Sequence, residues 1–251
     1  MKSNTSLLFL LYALINLFIL VNTDKVEDQN GPRNAKVYKC RNTGNYTSTS
    51  YKNNIKSALY VVAKNIAANN GFYHSTAGTT EPVNAVGLCP GFLRSNFCEE
   101  CVNSTIPLLE TNCPNQKEGV AWVKECMIRY SDRKIMGLLD DWFWVHLPAL
   151  AVARRPAAEM DKALSDLITK LHTQAAGGTS AKKYATGDIT YAPDITLTLV
   201  MQCTPDLSKE QCTKCLSTTK HTVRTCCSGK TTARMLSPNC YLHYDHIDFR
   251  F

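Results

Sequence analysis

The feature that most constrains this chain is a cysteine pattern present twice at one offset. Cys89, Cys98, Cys101, Cys113 and Cys126 form the first set. Cys203, Cys212, Cys215, Cys227 and Cys240 form the second, each 114 residues after its counterpart. Five coincident spacings identify two copies of one unit. Each copy contains C-x8-C-x2-C, as Cys89-PGFLRSNF-Cys98-EE-Cys101 and Cys203-TPDLSKEQ-Cys212-TK-Cys215. Any fold for this chain is therefore built twice, from roughly 100 residues each time, an ordinary domain size.

Twelve cysteines in 251 residues exceed the usual content of a cytosolic protein, and the number is even, as a paired framework needs. The start of the chain accounts for them. Lys2 is a short positive region, Leu7 to Val21 is an apolar run broken only by Asn16, and Val21-Asn22-Thr23 suits cleavage. Residues 1–23 read as a secretory signal peptide, because about 15 apolar residues fall short of the ~20 that span a bilayer. Val145 to Ala153 is the nearest later candidate, and His146, Pro148 and the Arg154-Arg155 pair rule it out. The mature chain is expected to be secreted, without a transmembrane segment, in an oxidising space where disulfides persist.

Hydrophobic content of 44% and charged content of 20% argue against wholesale disorder. The formal net charge is +7, spread over both halves without a dense basic run. That balance fits weak attraction to anionic cell-wall polymers or membranes, and secretion argues against a nucleic-acid partner. Asn45-Tyr46-Thr47 and Asn103-Ser104-Thr105 are candidate N-glycan sites of a secreted protein.

Each half reads in the same order. A helix is expected from a cap near Thr49-Ser50, with Ile55, Leu59, Val62 and Ile66 on one apolar stripe and Asn69-Asn70-Gly71 as its stop. Its counterpart runs from Pro156 to about Gln174, with Leu164, Ile168 and Leu171 on the stripe and Gly177-Gly178 at the end. An extended segment follows, clearest at Ile195 to Met201. Next comes a shorter helix bearing the C-x2-C, capped by Ser95 in one copy and by the capping box Ser208-x-x-Gln211 in the other. Two strands close each unit, around Val120–Val123 and Met127–Tyr130, then around Ala233–Leu236 and Tyr241–Tyr244. A further strand is expected near Val37 to Cys40. Residues 24–131 and 156–251 are thus two domains of α+β class, joined by a connector, 132–155. Its Asp140-Asp141-Trp142-Phe143-Trp144 is expected to pack between them.

The duplicated C-x8-C-x2-C resembles the plant cysteine-rich secretory repeat, the Gnk2-homologous, DUF26 or stress-antifungal domain. Trp122-Val-Lys-Glu-Cys126-Met-Ile-Arg-Tyr130 and Gln202-Cys203-Thr-Pro-Asp-Leu-Ser208 carry the likeness. It covers nearly all of the chain beyond the signal peptide and is closest to the two-domain secreted type. The resemblance implies two helices packed on a five-stranded antiparallel sheet in each domain, stapled by disulfides. By position it pairs Cys40–Cys113, Cys89–Cys98, Cys101–Cys126, Cys203–Cys212 and Cys215–Cys240. Spacing alone leaves all fifteen pairings of six cysteines open. Cys227 aligns with Cys113, but nothing in the second copy takes the place of Cys40, which leaves the adjacent Cys226 as its partner.

Some single-domain members of that family bind mannose through an Asn, an Arg and a Glu at fixed distances from the cysteines. In the first copy those places hold Arg41, Val120 and Ser131. In the second they hold Arg234 and Asp245 without the Asn, which makes Arg234 and Asp245 the candidate sugar contacts. His243 shares a strand face with Asp245, and two side chains do not make a metal site. One C-x2-C per unit is half of what a zinc ribbon needs, so the cysteines read as structural. No catalytic, cofactor or metal motif is present, and no reaction chemistry converges. The expected function is non-enzymatic recognition in the plant apoplast during stress or defence, by binding a cell-wall carbohydrate or a receptor ectodomain. Direct antifungal action on a fungal wall or membrane, and oligomerisation without a glycan ligand, are the alternatives.

Overall fold

A computed structural model describes residues 26–27, 35–153, 157–193 and 195–246. The expected signal peptide and Pro156 lie outside them. The first copy comprises β1 (Val26–Glu27), β2 (Lys36–Asn45), α1 (Thr49–Ile66), β3 (Phe72–Ala77), β4 (Val83–Leu88), α2 (Ser95–Asn112), β5 (Gln116–Val123) and β6 (Cys126–Ser131). The second comprises β7 (Val145–Pro148), α3 (Ala157–Ala176), β8 (Lys183–Ala192), β9 (Ile195–Cys203), α4 (Lys209–Cys226), β10 (Thr232–Leu236) and β11 (Cys240–Asp245). Both sheets are antiparallel, in the orders β1-β2-β5-β6-β4-β3 and β7-β10-β11-β9-β8. Each is the expected five-stranded sheet under two helices, the first extended at its edge by the two-residue β1.

The helices form where the apolar stripes require. Ile55, Leu59, Val62 and Ile66 of α1 are buried, as are Leu164, Ile168 and Leu171 of α3. The cap of α1 is Ser48, just before the expected pair, and its hydroxyl accepts from the Tyr51 N–H at 2.9 Å. After α1, Asn70 and Gly71 take left-handed φ values of 55° and 80°, which turn the chain out of the helix. The capping box at Ser208 and Gln211 is present. Ser95 is the first helical residue of α2 and not its cap; Arg94 holds that position without a side-chain bond. At Gly87 a Cβ would come within 2.6 Å of the Val62 side chain, so glycine lets α1 lie directly on β4.

Two strands at sheet edges escape the sequence reading because polar residues interrupt their apolar ones. These are β3 and β8, which pair only with β4 and β9. The segment read as a connector also holds a strand, since β7 pairs with β10 as the fifth strand of the second sheet. The aromatic run in it splits three ways. Phe143 is buried between the sheets, Trp144 packs on the core under α3 and α4, and Trp142 lies 5.3 Å from the Arg41 guanidinium.

The central strands are buried on both faces. In β5, Ala121 and Val123 face α1 and α2, while Val120 and Trp122 face away. In β11, Leu242 and Tyr244 face α3 and α4, while Tyr241 faces away. What covers the outward faces is the other copy's sheet. Val86, Leu88, Val120, Trp122 and Met127 of the first meet Val200, Leu236 and Tyr241 of the second in one apolar cluster. The Trp122 and Tyr241 rings stack with centroids 5.8 Å apart. The molecule is thus four layers, helices, sheet, sheet and helices, and the two copies share a third core.

The five pairings implied by the resemblance are present, and so is the remaining adjacent pair, Cys226–Cys227. Cys40–Cys113 closes a separation of 73 residues and Cys226–Cys227 a separation of one. By loop-closure entropy, removing the first pair with serines is expected to cost about 4 kcal/mol and removing the second about 1 kcal/mol. Chemical denaturation of the two double-serine variants checks the order. Trp122→Ala is expected to cost ~3–5 kcal/mol in the same assay, against under ~0.5 kcal/mol for the exposed Tyr60→Ala.

Candidate functional site

The residues expected to contact sugar lie on the inner face of the second sheet. Arg234 of β10 pairs across the ladder with His243 of β11, and Asp245 with Thr232, so all four side chains share a face. That face meets the first copy at the β5–β6 turn. Lys124 there has a left-handed φ of 51°, which aims its carbonyl and the Glu125 side chain at the second sheet. The Arg234 guanidinium donates to the Lys124 carbonyl, and its Nε lies 4.0 Å from Glu125 Oε2. The Tyr241 hydroxyl donates to Glu125 Oε2, and His243 Nδ1 lies 3.5 Å from Oε1. Asp245 Oδ2 lies 3.8 Å from His243 Nε2.

This geometry sets the candidate sugar contacts, Arg234 and Asp245, inside the contact between the copies. Arg234 and His243 are fully buried and Asp245 is 2% exposed. A dissolved sugar reaches none of them while the sheets are packed. In the first copy, Val120 and Ser131 are buried as well. Arg41 is engaged there in an ion network. Its guanidinium lies 3.4 Å from Asp140 Oδ1 and 3.5 Å from Glu118 Oε1.

That network is the reciprocal of the Glu125 cluster. Arg129, at the 114-residue offset from His243, lies 3.3 Å from Asp140 Oδ2. Arg133 grips Glu118 with two bonds, Nε at 3.1 Å and a terminal nitrogen at 2.7 Å, and also reaches Asp140. The Asp140 N–H donates to Asn239 Oδ1 at 2.8 Å, and Asn239 is the counterpart of Glu125. Each copy therefore sends one β-turn residue into the other copy's half of the interface. Asp140 and Asp141, adjacent in sequence, part company here: Asp140 is buried in the network and Asp141 is exposed.

A further tie runs from Gln202 of β9. It accepts from the Gly91 N–H at 3.0 Å and donates to the Cys89 carbonyl at 3.1 Å. Sequence reasoning missed Glu125, Arg129, Arg133 and Gln202. The 114-residue offset was a usable signal for the first two, because it puts Glu125 against Asn239 and Arg129 against His243 at places where a plain repeat would match.

The open surface lies elsewhere. A groove of about 410 Å³ runs between α3 and α4, floored by Leu164, Ile168 and Val223 and rimmed by Asp161, Lys220 and Arg224. A second of about 190 Å³ occupies the equivalent place between α1 and α2, floored by Ile55, Leu59 and Leu109 and rimmed by Lys52, Lys56 and Glu110. Asn45 and Asn103, the sequon residues, are exposed. No described helix is long and apolar enough to cross a membrane.

A protein-family model for salt stress response/antifungal proteins matches residues 39–133 and again 152–247. The chain belongs to that family. An Arabidopsis thaliana relative, cysteine-rich receptor-like protein kinase 26, is 32% identical over 95% of this chain and 36% of its own length. Cysteine-rich repeat secretory protein 1 of the same plant is 31% identical over 82% of this chain and 61% of its own length. The chain therefore spans about a third of that kinase and less than two thirds of that secretory protein. An antimicrobial ginkbilobin-2-like protein of Castanea crenata is 28% identical over 84% of this chain and 86% of its own length. Among solved structures, the tandem DUF26 ectodomain of the Arabidopsis protein PDLP8 superposes with a TM-score of 0.70. It is 19% identical, over 84% of this chain and 97% of the ectodomain. That likeness establishes the tandem fold of the family. The family is one of secreted proteins and receptor ectodomains and not a known enzyme family.

The electrostatics of the interface give a pH dependence. Burial pushes the Glu125 carboxyl up, but the Arg234 guanidinium and His243 outweigh it and hold it down at about 2. Burial and Glu125 push the Tyr241 hydroxyl well above its ordinary value. A carboxyl depressed on folding stabilises the fold above its unfolded value of 4.5, and that stability is lost as pH falls toward about 2. Unfolding free energy is expected to drop across this window, and Glu125→Gln is expected to flatten the drop. Denaturant titrations between pH 5 and 2 check both. Arg234→Met, which takes the guanidinium away from Glu125 and leaves it His243 and the Tyr241 hydroxyl, is expected to cost ~3–5 kcal/mol at neutral pH.

Proposed function

We propose that this chain is a secreted, non-enzymatic recognition protein of the plant apoplast, acting in stress or defence through a protein partner, a receptor ectodomain. The observation that carries the reading is the burial of both inner sheet faces. Arg234 and Asp245 serve the contact between copies, so the surface left for recognition is the two helical layers and the sheet edges. Those layers carry the inter-helix grooves and the Asn103 sequon. The disulfides hold this surface rigid, which lowers the ordering cost of binding. Relatives named as receptor-like kinases and as secretory proteins support an extracellular setting for the same tandem unit.

The test is a panel of plant receptor ectodomains and a glycan array, both probed with the oxidised protein. Saturable binding to an ectodomain, with no glycan retained, is the expected result. Mannose-type binding abolished by Arg234→Ala in a variant that still folds would contradict it. A second reading, direct antifungal action, is favoured by the net charge of +7 and by the Castanea crenata relative. Fungal growth inhibition by the pure protein, weakened by salt, separates it from the first.

A further inference from the structure

The helices α2 and α4 hold equivalent places in the two copies, yet their charges are opposite. In α2 stand Glu99, Glu100 and Glu110 with no base, and in α4 stand Lys209, Lys214, Lys220 and Arg224 with one acid, Glu210. On the outward stripes the inversion is position by position. Glu100 answers to Lys214 and Glu110 to Arg224 at the same 114-residue offset as the cysteines. All four are exposed, and none has a partner among the described residues. Glu99, by contrast, is bound to Lys64 at 2.7 Å, and Lys220 to Thr169 at 2.9 Å.

The layer order puts these two stripes on opposite outer sides of the molecule. We propose that copies of this chain associate head to tail, the α4 face of one seated on the α2 face of the next. Ten residues separate the charges on both helices, about 15 Å along an axis. Both bases therefore meet acids whether the helices run parallel or antiparallel. Because donor and acceptor faces are different surfaces on opposite sides, the contact is heterologous and does not close into a dimer; it repeats into an open row. Exposed ion pairs contribute little singly. The stripes between them, with Asn103 and Ser104 on one and Thr218 and His221 on the other, carry no large apolar anchor. The association is accordingly weak, concentration-dependent and salt-sensitive. The Asn103 sequon sits between Glu100 and Glu110, so a glycan there covers the acidic face.

The test is sedimentation and light scattering of the oxidised chain after enzymatic removal of N-glycans. The two salt levels are about 0.01 M and about 1 M, where the screening length is ~30 Å and ~3 Å. The expected result is a mass that grows past the dimer with protein concentration at low salt and returns to the monomer at high salt. Glu100→Lys with Glu110→Lys, or Lys214→Glu with Arg224→Glu, is expected to abolish growth. All four changes together are expected to restore it, which a folding defect would not do. A chain that stays monomeric at low salt, a mass that stops at the dimer, or growth that persists in either two-residue variant overturns the proposal. So does a monomeric native chain that holds polygalacturonate through Lys214 and Arg224, which would assign the basic face to a polyanion.

Discussion

The structure depends on one constraint: a sheet with helices on one face must still bury its other face. Each copy solves this for the other. Trp122 and Tyr241 stack at the centre, and aromatic side chains of this kind bury about 150–250 Å² apiece. At about 25 cal/mol per Å², each contributes roughly 4–6 kcal/mol of burial. The polar clusters beside them add little net stability, because desolvating charges offsets most of their attraction. Their effect is on orientation. A packing that slipped by a strand would leave Arg234, Arg129 or Asp140 buried without a partner, at several kcal/mol each. Apolar burial drives the two sheets together, and the ion networks select one way of doing it.

The two copies have diverged where they meet and kept what holds each one together. The cysteines of the first set recur in the second without exception, and Tyr130 and Tyr244 recur with them. At the interface the same offset sets Val120 against Arg234, Met127 against Tyr241, Glu125 against Asn239 and Arg129 against His243. Identical copies would bring like groups together about the centre. Unlike residues allow an acid from one turn to meet a base on the opposite sheet. The missing counterpart of Cys40 belongs to the same divergence. The strand that carries Cys40 in the first copy is represented in the second by β7, four residues long and drawn from the connector.

Much of the fold was legible because its signals are local. The helical stripes at Ile55–Ile66 and Leu164–Leu171, the Ser208 capping box and the β9 run are set by neighbouring residues, and the disulfide pairs followed from family resemblance. The edge strands were not legible. β3 and β8 interleave Thr, Ser, His, Asp and Gly with their apolar residues, which blurs the two-residue period. The surroundings of Arg234 and Asp245 were not legible for a different reason. Arg234, His243 and Asp245 alternate as a strand facing water would, and alternation says which residues share a face without saying what covers it. The cover comes from Glu125, more than 100 residues away in the chain. The partners of Asp140 were not legible either, because Arg129 and Arg133 reach it only once the connector folds back over the first sheet.

The central claim is that the two copies form one cooperative body through their shared third core. Differential scanning calorimetry of the oxidised chain at neutral pH tests it most directly. The account predicts a single transition whose van't Hoff enthalpy equals the calorimetric enthalpy of the whole chain. Two resolved transitions, each with the enthalpy of one copy, would contradict it.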